Sequence, residues 1–212
     1  MEKMQYARAI FRSWKKWKSW AVVGSIGMLG CWVWQPQLVR SAAPEDNSTQ
    51  IGAAWSGASF PVEDFIDYTS PFGYRRSATG GSSTEFHSGL DMAAPEGSYI
   101  RSWWAGQVVE VIDDGRCGVG LVIQSGNWEH IYCHMSGTSA TRDGQRYFVD
   151  REGGIVIAEG QPITTAARIG RVGMTGRTTG PHLHWGLRFN GEWIDPALVL
   201  RAMYEDQAYS SK

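Results

Sequence analysis

The stretch His87-Ser-Gly-Leu-Asp91, read with His182-Leu-His184 further along the chain, gathers three side chains of the types that hold a catalytic zinc. Such an ion takes three protein ligands from His, Asp, Glu or Cys and keeps a fourth position for water, whereas structural zinc sites are closed, four-coordinate and commonly rich in Cys. Two histidines and one carboxylate meet the catalytic pattern. His182 and His184 stand two residues apart, and Trp185-Gly-Leu-Arg-Phe189 reads as extended chain, so both imidazoles leave one face of a strand. Alone, that pair reads as a solvated strand patch; the coincident His87 and Asp91 reverse the reading. Ser88 and Gly89 argue against a helix there, so the spacing is that of a loop running into a strand anchored by Leu90.

The run Trp128-Glu-His-Ile-Tyr-Cys-His134 alternates as a strand, which predicts Tyr132 and His134 on one face, looking into the metal site, and Cys133 on the other. His130 is expected on a strand face or at the surface. Gly176-Arg-Thr-Thr-Gly180 lacks the lysine and following helix of a phosphate-binding loop, so it reads as a turn that sets the entry of the His182 strand. The elements that carry these groups must be short, because 26 glycines in 212 residues are scattered among small apolar runs such as those at 108–112, 121–123 and 171–174. That pattern predicts a mainly β, compact antiparallel β-sheet domain with tight turns, and a helical period only at 196–203.

Together these residues resemble the lysostaphin/LytM-type zinc metalloendopeptidases, which cut peptide bonds in bacterial peptidoglycan. The match covers roughly 70–200 and includes Phe72-Gly-Tyr-Arg75, Phe86-His-Ser-Gly-Leu-Asp-Met-Ala-Ala-Pro-Glu-Gly97, Ala105-Gly-Gln-Val-Val109, Tyr132-Cys-His-Met-Ser136 and Gly170 through His184 with Trp185, in the family's order. The resemblance implies His87, Asp91 and His184 as ligands of one Zn2+ in a groove across the sheet, with His134 and His182 as the catalytic pair. Met135, Cys133 and Trp185 depart from the family's usual residues without removing a ligand or a proton carrier. The implied chemistry is hydrolysis: zinc lowers the pKa of bound water from about 15.7 to about 7, and a neighbouring imidazole moves the proton. Either histidine suits the base; the other would stabilise the oxyanion.

The first 40 residues are a different kind of chain. A basic segment, 1–19, precedes the apolar run 20–34, which has the layout of an export signal. It is short for a span of about 20 residues, but flanking tryptophans also suit an uncleaved anchor in the cytoplasmic membrane, and Cys31 offers a site for lipid attachment. Residues 35–60 read as a flexible tether, 61–203 as the metallopeptidase domain and 204–212 as a polar, irregular tail. Residues 1–40 hold seven of the 20 basic residues and one of the 21 acidic ones, which leaves 13 basic and 20 acidic beyond them. The remainder is therefore acidic, unlike the basic patch that marks nucleic-acid binding, and no nucleic-acid partner is expected.

Three structural expectations follow. Cys117 and Cys133 flank a turn at Ser125-Gly-Asn127, so a hairpin would bring them together as a disulfide in an exported protein. Residues 137–154 read as a long loop bordering the substrate groove, where it would set specificity. Residues 44–66 could fold over the groove with Glu63 or Asp64 as a latent ligand. The functional expectation is an exported zinc endopeptidase of the cell envelope acting on peptidoglycan cross-links or stem peptides; the alternative is a non-catalytic module of the same fold that binds wall or activates another hydrolase.

Overall fold

The structure is a computed structural model that describes residues 56–77 and 82–211. The basic segment 1–19, the apolar run 20–34 and most of the tether 35–60 lie outside the described residues. Among those described, no helix is long and apolar enough to cross a membrane.

Fifteen short strands and one helix follow in order among the described residues: β1 (Asp67–Ser70), β2 (Gly73–Arg76), β3 (Thr84–His87), β4 (Gly89–Ala93), β5 (Tyr99–Arg101), β6 (Gly106–Asp114), β7 (Gly118–Ser125), β8 (Trp128–Cys133), β9 (Thr138–Arg142), β10 (Gln145–Asp150), β11 (Ile155–Ala158), β12 (Pro162–Ile163), β13 (Arg168–Arg171), β14 (His182–Phe189), β15 (Glu192–Ile194) and α1 (Pro196–Ser210). The expected antiparallel β architecture is what forms. An eight-stranded sheet runs β1-β4-β14-β8-β7-β6-β12, with β15 on β14. Smaller sheets pair β2 with β3, β5 with β13, and β9, β10 and β11 together.

Alternation along the strands sends Leu90, Met92, Leu183, Trp185, Leu187, Tyr132, Leu121 and Ile123 into one apolar core. The other face carries the groove and a second small cluster of Cys117, Val122, Ile131 and Cys133. Turn chemistry sets the registers. Asn190-Gly191 joins β14 to β15 and Asp143-Gly144 joins β9 to β10, all four residues at positive φ, the pattern of two-residue hairpins that match strand twist. Asp195 caps α1 by accepting from the Ala197 N–H at 3.0 Å, Pro196 opens it, and Val199, Leu200 and Met203 bury against the sheet. The helix continues past Met203 to Ser210, which corrects the expected irregular tail. Gln207 explains part of the extension, since its Nε2 donates to the Ala58 carbonyl at 2.9 Å.

Two further expectations are corrected. Residues 137–154 form the β9–β10 hairpin and the turn that leads to β11, not a loop. Phe148 is fully buried in the core, and Asp150 accepts both Arg171 Nε and Nη2 at 2.7 Å. None of these residues lines the groove, so the segment serves packing. Glu63 is held by Arg101 and Arg168, and Asp64 by Ser98, so neither is a latent ligand.

His130 is also not a surface group. It is fully buried, edge-on to Trp103 with ring centroids 4.9 Å apart, because residue 130 shares the core face with Tyr132. Burial pushes its pKa down to about 3. In the unfolded chain it titrates near about 6.5, so the unfolded state binds the extra proton between those values. Stability is full above about pH 6.5 and falls as pH drops toward 3. We expect the urea midpoint to fall more from pH 7 to pH 4.5 in the wild type than in His130→Phe. Equal losses would show that His130 is not the source.

Cys117 and Cys133 form the expected disulfide, 16 residues apart in sequence. Closing a loop of that length stabilises by about 3 kcal/mol in the chain-entropy model. Cys117→Ser with Cys133→Ser should lower the stability by that order; an unchanged thermal midpoint on reduction would contradict it.

Candidate metal centre

The site is built where three elements meet. His87 ends β3, Asp91 is the middle of β4, and His182 and His184 open β14; Asp91 and His184 are register partners across the β4–β14 ladder. The sequence dictates this face. Leu90 and Met92 on β4, and Leu183 and Trp185 on β14, take the core side, which turns Asp91, His182 and His184 to the other.

Three atoms converge there. His87 Nε2 lies 2.9 Å from both Asp91 Oδ1 and His184 Nδ1, and His184 Nδ1 lies 2.8 Å from Asp91 Oδ1. His87 Nδ1–H donates to the Pro71 carbonyl at 2.7 Å, so its Nε2 presents a lone pair. A lone pair facing a carboxylate and a second imidazole at such distances suits a cation between them. Ligand atoms this close are spanned by an ion bound at about 2.0–2.2 Å from each nitrogen and oxygen. The donor set, two imidazoles and one carboxylate, therefore fits zinc. The three residues form a group able to hold a metal among the described residues.

The electrostatics agree. Burial alone would raise the Asp91 pKa, but the two imidazoles set against it, His184 and His87, outweigh it and hold the carboxyl well below the usual carboxylate range. Burial lowers the His184 pKa, with Asp91 opposing. Arg75, in a motif quoted above without a role, is the residue that sequence reasoning missed. Its Nη1 donates to Ser70 Oγ and lies 3.5 Å from Asp91 Oδ2, while Nη2 lies 3.6 Å from Glu85. It occupies the carboxylate oxygen that faces away from the other two donors, as outer partners of metal ligands do.

Gly89 shows how tightly the site is framed. A Cβ there would lie 2.6 Å from the Trp185 carbonyl oxygen and 2.7 Å from two atoms of the His184 ring. Gly89→Ala should therefore displace the ring and part of the β4–β14 pairing, at about 1–3 kcal/mol for overpacking. We expect zinc affinity to fall at least tenfold by competition with a chromogenic chelator. Wild-type affinity would mean the ring moves without cost.

His134 and His182 flank these three, their ring centroids 4.8 Å apart. Both are oriented by backbone carbonyls: His134 Nδ1 bonds to Thr175 O at 2.8 Å and His182 Nδ1 to Gly180 O at 2.8 Å, which leaves each Nε2 for the groove. His182 Nε2 is 3.6 Å from Asp91 Oδ1. Burial, the largest influence, pushes His134 down to about 4, so it is neutral at pH 7.

The placement of His134 corrects the strand alternation. His134 has φ +60, a left-handed conformation uncommon outside glycine. That turn brings His134 into the groove beside Cys133 while Tyr132 stays in the core, its hydroxyl accepting from the Trp103 N–H at 2.9 Å. The conformation is held from three sides, by His134 N–H to Cys117 O at 2.8 Å, Gly173 N–H to His134 O at 2.9 Å, and the Thr175 contact. The Thr175 carbonyl reaches it because Gly118 and Gly176 cross, each without room for a Cβ against the other. The groove around the five groups encloses about 490 Å³.

Residues 85–196 match the model of peptidase family M23. The chain belongs to peptidase family M23. Its M23 relatives include the DD-carboxypeptidase/endopeptidase Mpg of Neisseria meningitidis serogroup B, 35% identical over 144 residues, which is 66% of this chain and 29% of that protein. The peptidoglycan DD-endopeptidase ShyA of Vibrio cholerae is 32% identical over 137 residues, 64% of this chain and 28% of that one. The chain thus spans less than a third of the length of these curated relatives. Among solved structures, a zinc-containing peptidase from Vibrio cholerae matches with a TM-score of 0.51 and 26% identity, over 68% of this chain and 38% of that chain. Lysostaphin from Staphylococcus simulans matches in fold, with a TM-score of 0.50 and 20% identity over 69% of this chain and 56% of its own.

Proposed function

We propose that this M23 member is an exported zinc metalloendopeptidase that hydrolyses peptide cross-links or stem peptides of bacterial peptidoglycan. The observation that carries the reading is the convergence of His87, Asp91 and His184 on one point beside two further imidazoles whose Nε2 atoms face the same groove. His87, Asp91 and His184 would hold the ion, which when bound supplies a Lewis acid and activates water near neutral pH. The rest is done by the chain. His134, neutral at pH 7 and fixed by Thr175, accepts a proton at Nε2 and returns it to the leaving amine. His182, its Nδ1–H fixed by the Gly180 carbonyl, faces the developing oxyanion at Nε2 beside His134 and stabilises it as the imidazolium. The groove holds the peptide across the sheet and limits water.

Residues 61–203 would be the catalytic domain, carried outside the cytoplasmic membrane by the basic and apolar segments at 1–19 and 20–34 and tethered by 35–60. The relatives named for peptidoglycan DD-endopeptidase activity support the substrate class. The test is digestion of purified peptidoglycan, with muropeptides read by mass spectrometry. Loss of cross-linked dimers that stops on chelation and returns with zinc is expected. Intact peptidoglycan from zinc-loaded protein would remove the endopeptidase reading.

A further inference from the structure

Four arginines line the groove, and three are already matched. Arg75 faces Asp91 and Glu85, Arg177 Nη2 meets Glu85 Oε2 at 2.5 Å, and Arg188 meets Glu129 at 3.1 Å while stacking 4.2 Å over Trp193. Arg116 is different. Among the described residues its guanidinium enters no ion pair, and its Nη2 donates to the Phe86 carbonyl at 3.3 Å. The carboxylate next to it in sequence, Asp114, is occupied otherwise: Oδ1 accepts the backbone N–H groups of Arg116 and Cys117, both at 2.7 Å.

The arginine is nevertheless mounted rigidly. Its own carbonyl accepts the Arg177 N–H at 3.0 Å, the next residue is bridged to Cys133, and the chain then passes through the Gly118–Gly176 crossing, where no side chain fits. These are the same supports that hold His134. Arg116 and Arg177 therefore line one recess shared with the groove, together with Phe86, Trp193, Glu85 and Ser88. The recess holds two guanidinium charges against one carboxylate. Phe86 directly precedes His87, so a group seated there lies one residue from the metal centre.

We propose that this recess is a subsite for a free carboxylate on the bound peptide, with Arg116 as the residue that reads it. The proposal rests on the reading of the groove as a peptide-binding site and adds to it a chemical requirement. A guanidinium presents parallel N–H donors that match a carboxylate, and such charge-assisted pairs are roughly twice as strong as neutral ones. Peptidoglycan stem peptides carry free side-chain or α-carboxylates; a glycine bridge carries none. The recess therefore favours cross-links between acidic stem peptides over glycine bridges.

The test uses the full chain and two ligands, a cross-linked stem-peptide dimer with free carboxylates and the same dimer with those groups amidated. Binding is measured by calorimetry after chelation, so that no cleavage occurs, and hydrolysis is measured with zinc restored. We expect the wild type to bind the acidic dimer at least about tenfold more tightly than the amidated one. Arg116→Ala should bring that ratio close to one by weakening the acidic dimer, and Arg116→Lys, which keeps charge but loses the fork, should fall between. In hydrolysis the difference should appear in KM. A wild type that binds both dimers equally overturns the subsite, as does an Arg116→Ala protein that weakens both to the same degree, since that is the mark of a structural role through the Phe86 carbonyl. Discrimination in binding with neither dimer cleaved would leave the subsite standing and remove the endopeptidase reading; cleavage without discrimination would do the reverse.

Discussion

His184→Ala is expected to abolish peptidoglycan hydrolysis and stoichiometric zinc binding together, while the protein stays folded. His184 Nδ1 is 2.8 Å from Asp91 Oδ1 and 2.9 Å from His87 Nε2, so its removal opens one corner of a three-point site. Lewis-acid stabilisation is worth several kcal/mol, and each 1.4 kcal/mol or so is a decade in rate. The loss in kcat/KM should therefore be about 10³-fold or more. The fold should survive because His184 lies on the groove face, whereas Leu183 and Trp185 on either side carry the core packing of β14. Asp91→Asn is the companion variant: it keeps the shape and removes the charge that the two imidazoles and Arg75 surround. Zinc content by atomic absorption and dimer cleavage are the readouts. Either variant hydrolysing at more than a tenth of the wild-type rate would sink the metal assignment, and an envelope activator would survive both.

Much of this site was legible in the sequence because its parts are local. The two motifs that contain His87, Asp91, His182 and His184 each lie within a few residues, and strand alternation orients such pairs without any knowledge of tertiary contacts. Alternation failed at His134 for a definite reason. It presumes extended backbone at every step, and His134 is left-handed, held so by contacts to Cys117, Gly173 and Thr175 that are distant in sequence. The same rule, applied one step earlier, would have placed His130 in the core with Tyr132; a polar side chain masked the pattern. The hairpin at 138–150 carried its own signal, Asp143-Gly144, whose left-handed preference marks a two-residue turn between strands. Arg116 had no signal at all, since its meaning lies in lacking, among the described residues, the ion-pair partner that Arg75, Arg177 and Arg188 have.

His134→Ala is expected to lower kcat by about 10²- to 10⁴-fold, the usual range for a lost acid or base, with zinc content unchanged and KM little altered. The separation follows from geometry. The His134 ring centroid stands 5.9 Å from that of His184, and its Nδ1 is spent on Thr175, so it acts on what the metal holds and is not among the three converging donors. His182→Ala should behave alike, because its Nδ1 is similarly spent on Gly180. The informative variant is the double one. If the two imidazoles, packed side by side with ring centroids 4.8 Å apart, face one reacting group together, neither is of use without the other. Groups that act as a unit are strongly non-additive, so the double variant should be within a few-fold of the worse single one. Multiplied losses would mean that they act at separate steps, and loss of zinc from either single variant would mean that the metal centre extends beyond His87, Asp91 and His184.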